Sequence, residues 1–282
     1  MAHTDYILRG SGYICPIAAL LGSVTPGATS MFISSYTSQD GALPAANSIA
    51  LINEEIILVT AATLDTLTIK RGVGDTIPQQ HAAGSLIWFF DNNHIGGDRR
   101  EYMATETIGL KVLMKTAGGA MQNENAPAKP LTFNSRFARP YPPGLVKMNA
   151  NPFWYAEQRL ETAGAINFNW AHRDRVTQAD QRIDHSVASI GPEVGTSYVL
   201  RIYRANNTLL RTVSGLTGTS YNYTYSIAVG DFGHSPDDQP AYALLHSARG
   251  GYTAWQTYRM DFVFRSIVSD GFNRGFNRKF NF

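Results

Sequence analysis

Five places in the sequence carry side chains that could do chemistry. His81 stands in Gln-His-Ala-Ala-Gly at 80–84, and an imidazole in a small-residue loop can serve as general base or metal ligand. Glu54 and Glu55 are adjacent carboxylates, the raw material of an acid and base pair. The tripeptides His172-Arg173-Asp174 and Asp231-Phe232-Gly233 spell the catalytic-loop and magnesium signatures of protein kinases. Asp237 and Asp238, between Pro236 and Pro240, could offer oxygens to calcium.

Each weakens when its geometry is worked out. Neighbouring residues of a strand point to opposite faces, so Glu54 and Glu55 cannot converge on one substrate; one is expected in solvent and the other bonded to a turn. A kinase loop needs an Asn five residues beyond its Asp, where this chain has Ala179, and no Gly-rich loop or strand-borne lysine precedes it. The spelling is coincidence, and His172 to Arg175 are expected to form a salt-linked turn or a rim contact to another subunit. A nucleophilic or metal role for His81 needs an orienting carboxylate and a second ligand, and the residues around it supply neither. The Asp237–Asp238 pair reads as a surface loop. No Gly-x-Ser-x-Gly, P-loop or His-Glu-x-x-His occurs, and His172, His185, His234 and His246 lack ligand spacing. The expectation is no catalytic residue, no metal and no cofactor; the chain is not read as an enzyme.

Composition narrows the partners. Charged residues make up 16% of the 282 and the formal net charge is +2, which leaves no basic field for nucleic acid. Cys15 is the single cysteine, so no disulfide forms within the chain. The apolar stretch from Tyr13 to Leu21 is too short to span a bilayer and contains Pro16. Of the basic residues a secretory signal needs before such a stretch, only Arg9 is present, so synthesis in the cytoplasm without export is the expectation.

The elements that must position these residues are strands. Short alternating runs recur between turn signals, as in SIALINEEIILVT, TLTIKRG, SLIWFF, AINFNW, SYVLRIYR and YRMDFVF. The chain reads as all-β. Composition shifts at 91–100 and at the proline-rich 138–152 divide it into a β module at 1–95, a connecting β segment at 96–140 and a third region at 141–265. The first reads as a small N-terminal β-barrel or sandwich. In the third, Ile166, Phe168 and Trp170 alternate with Asn167 and Asn169, and Tyr198, Leu200 and Ile202 repeat the pattern, which predicts that Trp170 lies in the core. Turns are expected at Asn206–Asn207 and Gly250–Gly251. Seven short strands in this region suit a fibronectin type III-like β-sandwich.

Residues 52–90 resemble a module of tailed-bacteriophage structural proteins. Its pattern is an acidic-start strand, a threonine-leucine strand, Arg-Gly, an acidic-Thr turn and His-Ala-Ala-Gly before a closing strand. The matching residues are Glu55, Leu67, Arg71, Gly72, Asp75, Thr76, His81, Ala82, Ala83 and Gly84. SRFARPYPPGLVKMNANPFW, FNWAHRDRVTQAD and TSYVLRIYR are similar to the linker and fibronectin-type domain of phage tail-tip or baseplate proteins. The resemblance implies a structural virion role, other tail proteins as partners, self-association in a symmetric ring or collar, and assembly into the tail after synthesis in the host bacterial cytoplasm. It also implies that His81 bonds the backbone of a tight loop with its ring against the barrel. The alternative is a receptor-binding module that engages a host glycan or pilus.

The last residues, 266–282, repeat Gly-Phe-Asn-Arg and place Phe272, Phe276, Phe280 and Phe282 among Arg274, Arg278 and Lys279. Phenylalanines left in water are costly, so a docking tail is expected, with Phe272, Arg274, Phe276, Arg278, Phe280 and Phe282 at a subunit interface.

Overall fold

The computed structural model describes residues 16–34, 36, 43–90, 102–111, 115–116, 119–155, 158–160 and 164–264. They fall into two compact units, one within 96–139 and the other formed by residues within 10–95 and 140–282. The docking tail expected at 266–282, with Phe272, Arg274, Phe276, Arg278, Phe280 and Phe282, lies outside the described residues.

The larger unit begins with β1 (Ile17–Ala19), β2 (Ser30–Phe32), β3 (Ser48–Ile52), β4 (Glu55–Ala62), β5 (Thr66–Lys70) and β6 (Leu86–Phe90). They form one antiparallel sheet in the order β1-β6-β3-β4-β5-β2. Its two edges meet at the Leu20–Ile33 bridge, where the Leu21 amide donates to the Phe32 carbonyl at 3.0 Å and that of Ser34 to Ala19 at 2.8 Å. The sheet thereby closes into a small barrel and leaves no long open edge. Alternate residues fill it: Ala50, Ile52, Ile57, Val59, Leu67, Ile69, Ile87 and Phe89 are all buried. Asn53, at φ 52°, turns the chain between β3 and β4 and leaves Glu55 to open β4 opposite Ile52.

The smaller unit contains β7 (Thr107–Leu110), β8 (Lys115–Thr116), β9 (Gly119–Ala120) and β10 (Lys129–Thr132). β7 pairs with β10 and β8 with β9. Tyr102 and Phe133 stack at 4.4 Å, and among its described residues Ala126 alone joins the buried apolar set.

The rest of the larger unit comprises β11 (Gly144–Met148), β12 (Asn151–Pro152), β13 (Gln158–Leu160), β14 (Ala165–Ala171), β15 (Ser197–Arg204), β16 (Leu209–Leu216), β17 (Ser220–Thr224), α1 (Tyr225–Phe232), β18 (Pro240–Arg249), β19 (Tyr252–Thr253) and β20 (Tyr258–Phe264). One sheet runs β12-β11-β14-β17 and the other β13-β20-β18-β15-β16, with β19 on β18. They share a core of Met148, Ile166, Phe168, Trp170 and Tyr223 from the first and Tyr198, Leu200, Ile202, Leu245, Tyr258, Met260 and Phe262 from the second. Trp170 is buried as its alternation predicts. Gly250 and Gly251, at φ 55° and 83°, turn β18 into β19. At the β15–β16 turn only Asn207 takes positive φ, at 68°, while the Asn206 side chain accepts from the Thr208 amide.

TSYNYTY, residues 219–225, supplies a strand over all but its ends. β17 stops at Thr224, whose hydroxyl accepts the Ile227 amide at 3.2 Å as an N-cap, and α1 ends on Gly233 in the left-handed region. A capping threonine and a terminating glycine outweigh the β preference of Tyr225. No helix among the described residues is long and apolar enough to cross a membrane.

Candidate functional site

Of the residues that looked able to do chemistry, Glu54, Glu55, His81 and the His172–Arg175 loop lie where the barrel meets the sandwich, with Glu55 at the centre, whereas Asp231, Asp237 and Asp238 lie elsewhere on the sandwich. The β3–β4 turn holds Glu54 exposed and aims Glu55 inward, where it is fully buried. A carboxylate in that position is costly unless paired and bonded. Arg71, just past β5, satisfies it with two parallel bonds, Nε to Oε1 and Nη2 to Oε2, both at 2.7 Å. The Gly72 amide adds a bond to Oε1 at 3.0 Å and the Gln79 amide one to Oε2 at 2.9 Å. The His81 ring lies 2.8 Å from Oε2 through Nε2. The remaining guanidinium donors reach the Thr25 and Gln79 carbonyls.

Each matched residue of the 55–84 stretch has a structural part in this arrangement. Leu67 is in the barrel core. Gly72 is at φ 57°, and a Cβ there would lie 2.5 Å from the Pro78 ring. The Thr76 hydroxyl donates to the Val73 carbonyl at 2.9 Å and accepts the Ile56 amide at 3.1 Å, and Asp75 is half-buried in the same turn. His81 bridges Val24 through its own amide and carbonyl, at 2.9 and 2.8 Å. Gly84, at φ 83°, donates to Leu20 at 2.8 Å, while Ala82 and Ala83 form the exposed turn between.

Burial alone would raise the Glu55 pKa. The bonds from Arg71 and His81, the Arg71 charge and the Gln79 amide outweigh it and hold the carboxyl below its ordinary range. Glu55 is therefore ionised, and Nε2 of His81 donates to it. On the other side of the ring, Nδ1 lies 3.1 Å from the side-chain amide nitrogen of Asn53, which donates to it.

Two sequence expectations need correcting. An orienting carboxylate for His81 does exist, but it comes from 26 residues upstream through strand pairing, which inspection of the local loop could not find. Glu54 lies in the β3–β4 turn and Glu55 opens β4, so the two do not alternate within one strand, although one is exposed and the other bonded to a turn as expected. A carboxylate on one imidazole nitrogen is half of a triad; what faces the other nitrogen is an amide, not a nucleophile, and His81 is 1% exposed. Among the described residues no three His, Cys, Asp or Glu gather as metal ligands.

The turn at His172 to Arg175 is salt-linked as expected, though not through every charged residue in it. Arg173 is buried and forms no ion pair among the described contacts; it donates to the carbonyls of Val187 at 2.7 Å, His172 at 2.9 Å, Ala188 at 3.1 Å, His185 at 3.2 Å and Asp184 at 3.3 Å. Burial lowers its pKa, partly offset by Tyr258 and Asp184. Gly144 is required over this cage, since a Cβ there would stand 1.9 Å from Nη2. The salt link is made by Arg175, which lies 3.0 Å from Glu193. Asp174 instead accepts the Val176 and Thr177 amides. Asp231 is held by Arg211 at 2.7 and 2.8 Å and by the Tyr223 hydroxyl at 3.0 Å, and Asp237 accepts from Tyr225 and Ser235.

The two arginine centres meet at one backbone position. His185, from the loop that Arg173 organises, uses its amide and Nδ1 to donate to the Arg71 carbonyl at 3.2 and 2.9 Å. Beside it the Gly74 amide donates to Ile183 at 3.1 Å, and Lys70 lies 3.4 Å from Asp184. Gln256 accepts the Ile77 amide at 2.7 Å and donates to the Glu54 carbonyl at 2.9 Å. Ile77 itself is packed in the sandwich core. Sequence reasoning identified neither Gln256 nor Ile77; both act through partners more than a hundred positions away.

No family model and no curated protein matches the chain. Among solved structures, the FN1-FN3 domains of chicken CNTN1 match over 84% of this chain at 10% identity with a TM-score of 0.26, and the chain spans 63% of that structure. The BSP domain of a biofilm-associated protein matches over 90% at 12% identity with a TM-score of 0.23, and the chain spans 30% of it. Likeness at that level carries no argument about function. Strand order does identify the fold: β11-β14-β17 faces β16-β15-β18-β20, the three-on-four order of fibronectin repeats, so the larger unit joins a closed β-barrel to a fibronectin type III-like β-sandwich.

Proposed function

We propose that this chain is a non-enzymatic structural component of the tail tip or baseplate of a tailed bacteriophage, made in the host bacterial cytoplasm and assembled into the virion. It works through contacts with other tail proteins and with further copies of itself in a symmetric ring or collar. The observation that carries this reading is the use of the phage-like motif: Glu55, Arg71 and His81 are all buried and bonded to one another or to backbone, leaving the stretch no group to offer a substrate. Mass spectrometry of purified particles of the encoding phage tests it. Several copies per particle are expected in the tail fraction; absence from intact particles would overturn the reading.

The second reading, a receptor-binding module, is favoured by one feature. The outward face of the β14–β17 pair bears an uncharged cleft of about 570 Å³ lined by Asn149, Asn167, Asn169, Ser220, Tyr221 and Asn222, amides and hydroxyls of the kind that bond sugar hydroxyls. Binding of the isolated chain to host surface glycans, lost in Asn167→Ala with Asn222→Ala, would favour it over the first.

A further inference from the structure

The barrel wall breaks the alternation expected of a sheet with one face in water. Across β1, β6 and β3 the residues pointing away from the barrel core are Ile17, Ala19, Leu86, Trp88, Phe90, Ile49 and Leu51. None is charged or polar, and strand register makes them neighbours: Ile17 pairs with Trp88, Trp88 with Leu51 and Phe90 with Ile49. Leu86 is 45% exposed and Trp88 39%. On β5 the corresponding positions are Thr66, Thr68 and Lys70, as expected where water covers the wall. A sheet apolar on both faces is one that something covers.

We infer that this wall seats the Phe- and Arg-rich tail, residues 266–282, of a neighbouring copy of the chain. The inference rests on the self-association proposed above and names its two surfaces. The tail brings Phe272, Phe276, Phe280 and Phe282, side chains that need an apolar seat. A wall without charged groups accepts them without stripping water from an ion. Its basic residues, Arg274, Arg278 and Lys279, find the face of Trp88 for a cation–π contact and the exposed carboxylate of Glu54 at the β3–β4 turn. The path of the chain separates the root of the tail from the wall. β20 starts at Tyr258, two residues from the Gln256 contact with the barrel, and ends at Phe264, where the Phe264 carbonyl accepts the Asp238 amide. Seven strand residues carry the chain about 20 Å away from the barrel before the tail begins. The wall and the tail are different patches, so their contact is heterologous and propagates from copy to copy until a ring closes.

Three measurements on the soluble protein test this apart from any virion. Sedimentation velocity should show concentration-dependent association of the full chain and a monomer for the chain lacking 266–282. A synthetic peptide of residues 266–282 should bind that truncated chain with a change in tryptophan emission. Trp88→Ser with Leu86→Ser should weaken peptide binding by about tenfold or more, whereas Val194→Ser, at an exposed sandwich position, should not; thermal melts confirm that both variants fold. Association that survives removal of the tail would assign the wall to direct wall-to-wall pairing and overturn the inference. A full chain that stays monomeric would also overturn it, as would a peptide that binds the truncated chain and its Trp88→Ser, Leu86→Ser variant equally. None of these results depends on whether the protein occurs in particles, and absence from particles would leave a positive peptide result standing.

Discussion

The barrel and the sandwich each bury an arginine, and they satisfy it in opposite ways. Arg71 faces an ionised carboxylate through a two-pronged pair, while Arg173 faces only carbonyl dipoles from its own loop. The first arrangement neutralises charge and closes a turn of the barrel. The second spends one cation on gathering a loop that has no strand partners. The difference teaches where each centre is fragile: removing Arg71 strands a buried anion, whereas removing Arg173 strands neutral acceptors. Since the His185 amide and ring bond the Arg71 carbonyl, damage at either centre reaches the barrel–sandwich contact.

The comparison breaks if the order of losses is reversed. Arg71→Met should be the most damaging, at about 3–5 kcal/mol of unfolding free energy, because Glu55 is left buried and uncompensated. His81→Ala should cost about 1.5–3 kcal/mol, the range for a bond to a charged partner, more than a loop histidine bonding only backbone would. Arg173→Met should cost about 1–3 kcal/mol by unpairing carbonyls. Chemical denaturation at neutral pH gives all three, and a loss for Arg173→Met larger than that for Arg71→Met would refute the distinction. Glu54→Ala, exposed and beside the key carboxylate, should stay within about 0.5 kcal/mol.

Acid sharpens the same contrast. The Glu55 pKa is depressed in the folded state, so its contribution is complete above its ordinary value of 4.5 and is lost as pH falls through the lower folded value. Asp184, held low by Ser186 and Lys70 despite burial, adds loss in the same direction. Wild type should therefore lose stability below about pH 4.5, and Glu55→Gln should be less stable at neutral pH with a flatter acid limb. An acid limb of unchanged steepness in Glu55→Gln would mean that other carboxylates dominate.

Much of this was legible in the sequence, for identifiable reasons. Ile166, Phe168 and Trp170 alternate with asparagines, and that period alone placed Trp170 in the core. Gly250–Gly251 read correctly as a turn because two positive φ angles select glycine. The β-sandwich followed from the count and spacing of such runs. The Glu55–His81 contact was hidden, because it depends on which residues strand pairing sets side by side, and the loop around His81 carries no trace of it. The part played by Arg173 was hidden for a related reason: five carbonyls leave no signature in a sequence. Gln256 and Ile77 gave no signal either, because their partners lie more than a hundred positions away. The expected tail contacts fall beyond the described chain and stand as a proposal.

The central claim is that the Glu55–Arg71–His81 cluster is a structural lock with Glu55 at its centre, and a double-mutant cycle tests it most directly. Unfolding free energies would be measured for wild type, Glu55→Gln, Arg71→Met and the double variant. The lock requires the double variant to be less destabilised than the sum of the singles by about 2–3 kcal/mol, since each single variant already forfeits the shared pair. Additive losses would show that Glu55 and Arg71 act independently and would contradict the account.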